Sequence, residues 1–131
     1  MPLYYADTSA LVKLVKSEAG SETMRRLWTD GAEFVSSLLA KAELLRAVRA
    51  EGAEVIRQAR TLLAAVDLLP VTGAIAESAV GLDPAVTRTL DALHVASALA
   101  LGPDLDAVIT YDGRLADAAR RSGLEVLAPA P

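Results

Sequence analysis

Four carboxylates stand out in this chain because their neighbours are apolar. Asp7 ends the run Leu3-Tyr4-Tyr5-Ala6, Asp112 follows Val108-Ile109-Thr110-Tyr111, Glu43 sits in Ala40-Lys41-Ala42-Glu43-Leu44-Leu45, and Asp91 opens the greasy segment Leu90–Leu99. An ionised carboxylate against hydrocarbon is costly, so each needs a cation, strong donors or a path to water. If all four reach one place they repel, and each raises its neighbours' pKa until a cation neutralises the group. Oxygen-only donors suit a hard divalent ion, Mg²⁺ with Mn²⁺ as a substitute. Such ions suit phosphodiester chemistry, where they activate a water and stabilise charge on the attacking or leaving oxygen.

Each acid also has a plainer reading. Asp7 could cap a helix, Glu43 could lie on a solvated helix face beside Lys41, Arg46 or Arg49, and Asp112-Gly113 could be an ordinary turn. Asp91 could be a first-turn residue favoured by the helix dipole. Asp91, His94 and Ser97 are spaced three apart and form one polar stripe on an apolar helix. His94, the only histidine, is expected to orient Asp91 or pack in that stripe rather than act as a general acid.

The elements that must position these residues alternate between strand and helix. Strands are predicted at residues 3–6, 33–36, 67–71, 107–110 and 124–127. Pro70 argues for a strand end or a sheet edge in the third. Helices are predicted at residues 10–14, where Thr8-Ser9 supplies the cap, and at 21–28, 38–50, 53–66, 74–80, 89–101 and 113–121. Ser36-Ser37 offers caps for the long helix from Leu38, and Gly52 divides it from the next to make a helical hairpin. Asp83-Pro84 reads as a turn or short helix, and Ala128–Pro131 as a frayed tail. This alternation implies a mostly parallel sheet with helices on both faces, an α/β/α arrangement in which ligands collect at the carboxyl edge of the strands. Asp7 and Asp112 both end strands, so both fall on that edge.

With 131 residues, 53% of them apolar, the chain fits one domain, residues 1–131. The apolar run at residues 92–101 is too short to cross a bilayer, and the first residues lack the pattern of a signal peptide. The absence of cysteine rules out disulfides and thiolate metal sites and agrees with a cytoplasmic location. A formal net charge of −4 does not by itself suggest a nucleic-acid partner.

The order Asp7-Thr8-Ser9-Ala10-Leu11-Val12-Lys13-Leu14, then Glu43, then Arg88-Thr89-Leu90-Asp91-Ala92-Leu93-His94-Val95-Ala96, then Thr110-Tyr111-Asp112 before Arg114-Leu115 resembles the PIN-domain nucleases. More narrowly it is similar to the VapC toxins of bacterial toxin–antitoxin pairs, over the whole chain. The resemblance implies that Asp7 and Asp91 are the main Mg²⁺ ligands and Asp112 the third aspartate. Glu43 then completes the site, often through water. Thr110 matches a small hydroxyl residue beside the metal, and Thr8 and Ser9 line the same edge.

It also implies an endoribonuclease that cuts tRNA or rRNA and so inhibits translation. Such toxins are homodimers silenced by a cognate VapB-type antitoxin, and they touch DNA only through that antitoxin. Substrate contacts are expected from Lys13, Arg46, Arg49 and Arg114. The alternative is a catalytically silent module that binds the antitoxin and regulates transcription, which would have no need of four acids. Phosphoryl transfer to aspartate is a poorer match: Ser9 stands where a phosphatase of that kind wants an aspartate, and no later strand ends in lysine.

Overall fold

The computed structural model describes residues 1–129. Five strands, β1 (Leu3–Ala6), β2 (Glu33–Ser37), β3 (Asp67–Leu69), β4 (Ala107–Ile109) and β5 (Val126–Leu127), form one sheet. Its order is β3-β2-β1-β4-β5, and each neighbouring pair is parallel. The helices are α1 (Thr8–Leu11), α2 (Ser21–Thr29), α3 (Leu38–Val48), α4 (Ala53–Ala65), α5 (Gly73–Val80), α6 (Thr89–Leu99) and α7 (Gly113–Arg121). The Asp83-Pro84 segment is a turn whose Asp83 carboxylate accepts from the Ala85 amide.

The strand order determines where a site can form. From β1 the chain steps outward to β2 and β3, then crosses back to β4 on the other side of β1 and on to β5. Right-handed crossovers made in opposite directions place their helices on opposite faces. One core accordingly joins Ala6, Leu11, Met24, Leu44, Leu62 and Ile109 beneath α1 to α4. The other joins Tyr5, Val95, Val108, Leu115 and Ala119 beneath α6 and α7. Tyr5 and Ala6 fall on opposite sides, as do Val108 and Ile109, because successive strand residues point to opposite faces. The order reverses between β1 and β4, and a crevice opens at the carboxyl ends of such a pair.

The helical hairpin of α3 and α4 and all five strands lie where expected, with ends shifted by a residue or two. The last strand is shorter than predicted, because only Val126 and Leu127 pair with β4. Pro70 follows β3, which is indeed an edge strand. Pro129 is not frayed, since its carbonyl accepts from the Tyr111 hydroxyl at 2.6 Å. The remainder of the predicted tail, residues 130 and 131, lies outside the described residues.

Candidate active site at the switch between the first and fourth strands

Asp7 leaves β1 at this crevice and is 4% exposed. It is the N-cap of α1: its Oδ1 accepts from the Ala10 amide at 3.1 Å and from the Ser9 hydroxyl at 2.7 Å. Its Oδ2 accepts from the Thr110 hydroxyl at 2.7 Å. The cap is therefore the aspartate itself, not the predicted Thr8 or Ser9. Those hydroxyls are used elsewhere, because Asp7 is the residue with extended backbone preceding the first turn. Burial pushes the Asp7 carboxyl above its ordinary range. The Ser9 and Thr110 hydroxyls, the Ala10 amide and the charge of His94 oppose this without cancelling it.

Thr110 and Ser9 join the two strand ends. The Thr110 Oγ1 accepts from the Asp112 amide at 3.0 Å, and the Ser9 Oγ accepts from the Tyr111 amide at 2.8 Å. The loop after β4 is thereby fastened to the loop after β1. Asp112 is the N-cap of α7, its Oδ1 accepting from the amides of Arg114 at 2.9 Å and Leu115 at 3.3 Å. The plain reading of Asp7 as a cap is thus true, whereas Asp112, read as an ordinary turn, is a helix cap as well.

Asp91 lies half-buried in the first turn of α6 and, among the described residues, makes no hydrogen bond. Burial and the neighbouring charge of Asp112 push its carboxyl up, against the pull of Arg88, His94 and Arg114. Glu43, on α3, does not pair with Lys41, Arg46 or Arg49. Its Oε1 meets the His94 Nε2 at 2.7 Å and accepts from the Thr8 hydroxyl at 3.1 Å. Burial pushes Glu43 up, but the bond and charge of His94 and the Thr8 hydroxyl outweigh it, and the carboxyl is lowered.

His94 therefore corrects the sequence reading: its ring is bonded to Glu43 and not to Asp91. Spacing on one helix places His94 beside Asp91, but a buried ring one turn deeper reaches across to another element. The opposite nitrogen, Nδ1, meets the Tyr5 hydroxyl at 2.7 Å. Burial pushes the Tyr5 phenol far above its usual range, so it stays protonated. The buried His94 ring thus links Tyr5 to Glu43, and the contacts run on as one chain, Tyr5–His94–Glu43–Thr8. Tyr5 was not singled out from the sequence. The available signal was parity, since residues 5 and 7 of one strand share a face.

The basic side chains divide into tied and untied. Lys13 bonds Glu18 at 3.2 Å and stands 4.4 Å over the Tyr111 ring, and the Arg49 guanidinium donates to the Arg46 carbonyl. Arg46 lies exposed on α3, and Arg114 opens α7 beside the acids.

The four acids are oxygen donors only, which fits a hard divalent ion. Among the described residues, no three carboxylates or imidazoles stand close enough to share one ion as placed. Asp91 stands near enough to Asp112 for the second charge to push the first carboxyl up.

The comparisons with known proteins agree on one assignment. The PIN-domain family model matches residues 4–121. This chain belongs to the PIN-domain family. Within it, the chain is 43% identical over 129 residues to Ribonuclease VapC46 of Mycobacterium tuberculosis, covering 98% of this chain and 99% of that protein. It is 36% identical over 131 residues to Ribonuclease VapC35 of the same species, covering 97% of each. Among solved structures, this PIN domain superposes on a toxin–antitoxin complex from Klebsiella pneumoniae with a TM-score of 0.72 at 20% identity, covering 98% of both chains. It also matches Mycobacterium tuberculosis VapC20, described as a toxin that cleaves the sarcin-ricin loop, with a TM-score of 0.68 at 21% identity, over 88% of this chain and 94% of that one. These likenesses establish a VapC-type PIN fold built on a parallel five-stranded sheet.

Proposed function

We propose that this protein is a divalent-metal-dependent endoribonuclease toxin of the VapC kind, a single PIN domain that cuts tRNA or rRNA and is neutralised by a cognate VapB-type antitoxin. The observation that carries this reading is the buried Asp7 carboxylate at the β1–β4 switch, in a chain 43% identical to a VapC ribonuclease along its length. Asp7 and Asp91 would hold Mg²⁺ or Mn²⁺ directly, with Asp112 and Glu43 holding its waters. Such an ion supplies an activated water and stabilises charge in the in-line displacement at phosphorus.

The chain's own residues orient this chemistry. Ser9, Thr110 and the Ala10 amide fix Asp7. His94 and Thr8 both bond the Glu43 Oε1, which leaves Oε2 without a protein partner. Arg114 and Arg46 are the better candidates for RNA contact among the predicted four, because Lys13 and Arg49 already have partners. An antitoxin partner is supported by the Klebsiella complex and by VapBC2 of Rickettsia felis, solved bound to a DNA fragment from its promoter, and a DNA role only through that partner belongs to this proposal. A cavity of about 460 Å³ between α2 and α4, lined by Leu14, Trp28 and Leu62 with Arg25 and Arg57, offers a largely apolar seat for such a partner. Homodimerisation and a cytoplasmic location belong to the same proposal, and no helix among the described residues is long and apolar enough to cross a membrane.

The deciding experiment is cleavage of total bacterial RNA by the purified protein, with Mg²⁺, with Mn²⁺ and with EDTA, beside Asp7→Asn and Asp91→Asn. Discrete ends that need both the metal and the two acids are expected. Equal cleavage by either variant refutes the site; no cleavage by a folded, metal-binding wild type favours the silent antitoxin-binding module.

A further inference from the structure

A chain of net charge −4 that handles RNA must gather cations locally, and five of its 13 basic side chains are held in ion pairs. Lys13 pairs with Glu18, Lys16 with Glu51, Arg26 with Glu22, Arg57 with Glu54 and Arg121 with Asp117. Arg88 and Arg114 make no ion pair within 4.0 Å among the described residues. Both line one cavity of about 190 Å³ between the turn at residues 85–88, the start of α6 and α7, with Asp91 and Asp117 in its wall. The cavity is polar, and it opens beside the acid row where the proposed reaction occurs.

We infer that this cavity, between Arg88 and Arg114, is a subsite for the RNA phosphate next to the one that is cut. The inference rests on the ribonuclease reading and adds to it a substrate contact from Arg88, which is not among the substrate contacts expected from the sequence. Two guanidiniums, each a planar fork of donors, match the oxygens of a phosphodiester; neither makes an ion pair among the described residues, and of the two carboxylates in the wall Asp117 is held by Arg121. Asp91 lies in the same cavity wall, so a strand whose scissile phosphate sits at the acids runs directly into it.

The test uses a fluorescein-labelled, mixed-sequence single-stranded RNA and the full chain in EDTA, with binding followed by anisotropy across a salt series. Each phosphate contact on a single strand contributes about 0.7 to the slope of log K against log salt. The Arg88→Gln/Arg114→Gln double variant should weaken binding and lower that slope by about 0.7. Arg120→Gln, an exposed position on α7 outside the cavity, should leave the slope unchanged. In Mg²⁺ the double variant should cleave with a raised KM. Arg88→Lys/Arg114→Lys should restore the slope, because charge is kept, but only part of the affinity, because the fork is lost.

Equal effects of the double variant and Arg120→Gln overturn the subsite and leave only general attraction. A fall in kcat with unchanged binding in EDTA also overturns it, because the arginines would then serve only Asp91. Equal loss of binding to a poly-glutamate peptide overturns it in favour of a protein partner. If wild type itself cuts no RNA with metal, the ribonuclease reading has failed; if wild type cuts and the double variant keeps its KM, only the subsite has.

Discussion

Replacing Asp7 by Asn should make the metal-free protein more stable. The wild-type carboxylate is 4% exposed and its pKa is raised mainly by burial, so its charge is under-compensated at neutral pH. Asparagine is as good an N-cap as aspartate, and its carbonyl can keep the bonds from Ala10 and Ser9. The amide nitrogen would then face Thr110, which has to stop donating and accept. Thr110 can do so, because its Oγ1 lies 3.3 Å from the Ser9 Oγ and can turn its hydrogen there. Ser9 already accepts the Tyr111 amide, and its second lone pair is free for this bond. No buried group is orphaned, and a costly charge is removed.

A gain of about 1 kcal/mol is the usual size for relief of this kind, or roughly 3–6 °C in Tm for a chain of this length. The assay is thermal unfolding of both proteins in EDTA and in millimolar Mn²⁺ from pH 5 to 8. With metal the order should reverse, since a ligand at 100 times its Kd adds about 2.7 kcal/mol to the form that binds it. The pH dependence has a definite sign. A raised folded-state pKa means that the folded protein binds the extra proton, so wild type gains stability as pH falls from above that raised value towards the unfolded one. The gap in EDTA should therefore narrow on acidification. An Asn variant less stable than wild type in EDTA at pH 7 to 8 refutes the reasoning.

Three further outcomes follow from the same contacts. Tyr5→Phe leaves the buried His94 Nδ1 without its partner and should cost about 1–3 kcal/mol by chemical denaturation, with weaker RNA cleavage as Glu43 loosens. Asp112→Ala removes the α7 cap and should cost about 1 kcal/mol, whereas Asp112→Asn should keep that stability and still lose cleavage; equal melting of the two would show that the cap contributes nothing. Mn²⁺ affinity should fall as pH drops through the raised range of Asp7, because proton and metal compete for one carboxylate, and titration calorimetry in buffers of different ionisation enthalpy should show proton release on binding.

Much of this molecule is legible in its sequence because apolar runs and caps are local signals. The five strands, the α3–α4 hairpin and the apolar α6 follow from periodicity, glycine and proline alone. Strand order is not local, and nothing near residues 3–6 says that β1 lies at the centre with β4 beside it. The acids could be picked out because carboxylates in greasy surroundings are rare. Their partners could not, because the Glu43–His94 bond joins residues 51 apart and depends on the depth of α6 against the sheet. The same limit explains why Ser9 was read as a cap when it is a tie between two loops, and why the cavity that Arg88 shares with Arg114 could not be read from the sequence.

Asp7 and Asp112 each cap a helix, and in the proposed reaction folding and chemistry draw on the same two side chains. What the helix needs is one acceptor oxygen; what the chemistry needs is the negative charge. An exchange of one oxygen for an amide nitrogen keeps the first and abolishes the second. This chain therefore lies a single substitution from a well-folded, inert copy of itself, with the surfaces outside the crevice unchanged. In a cell carrying both copies, the inert one would compete for whatever binds those surfaces, and the active share of the protein would rise or fall with a ratio of copies rather than with stability.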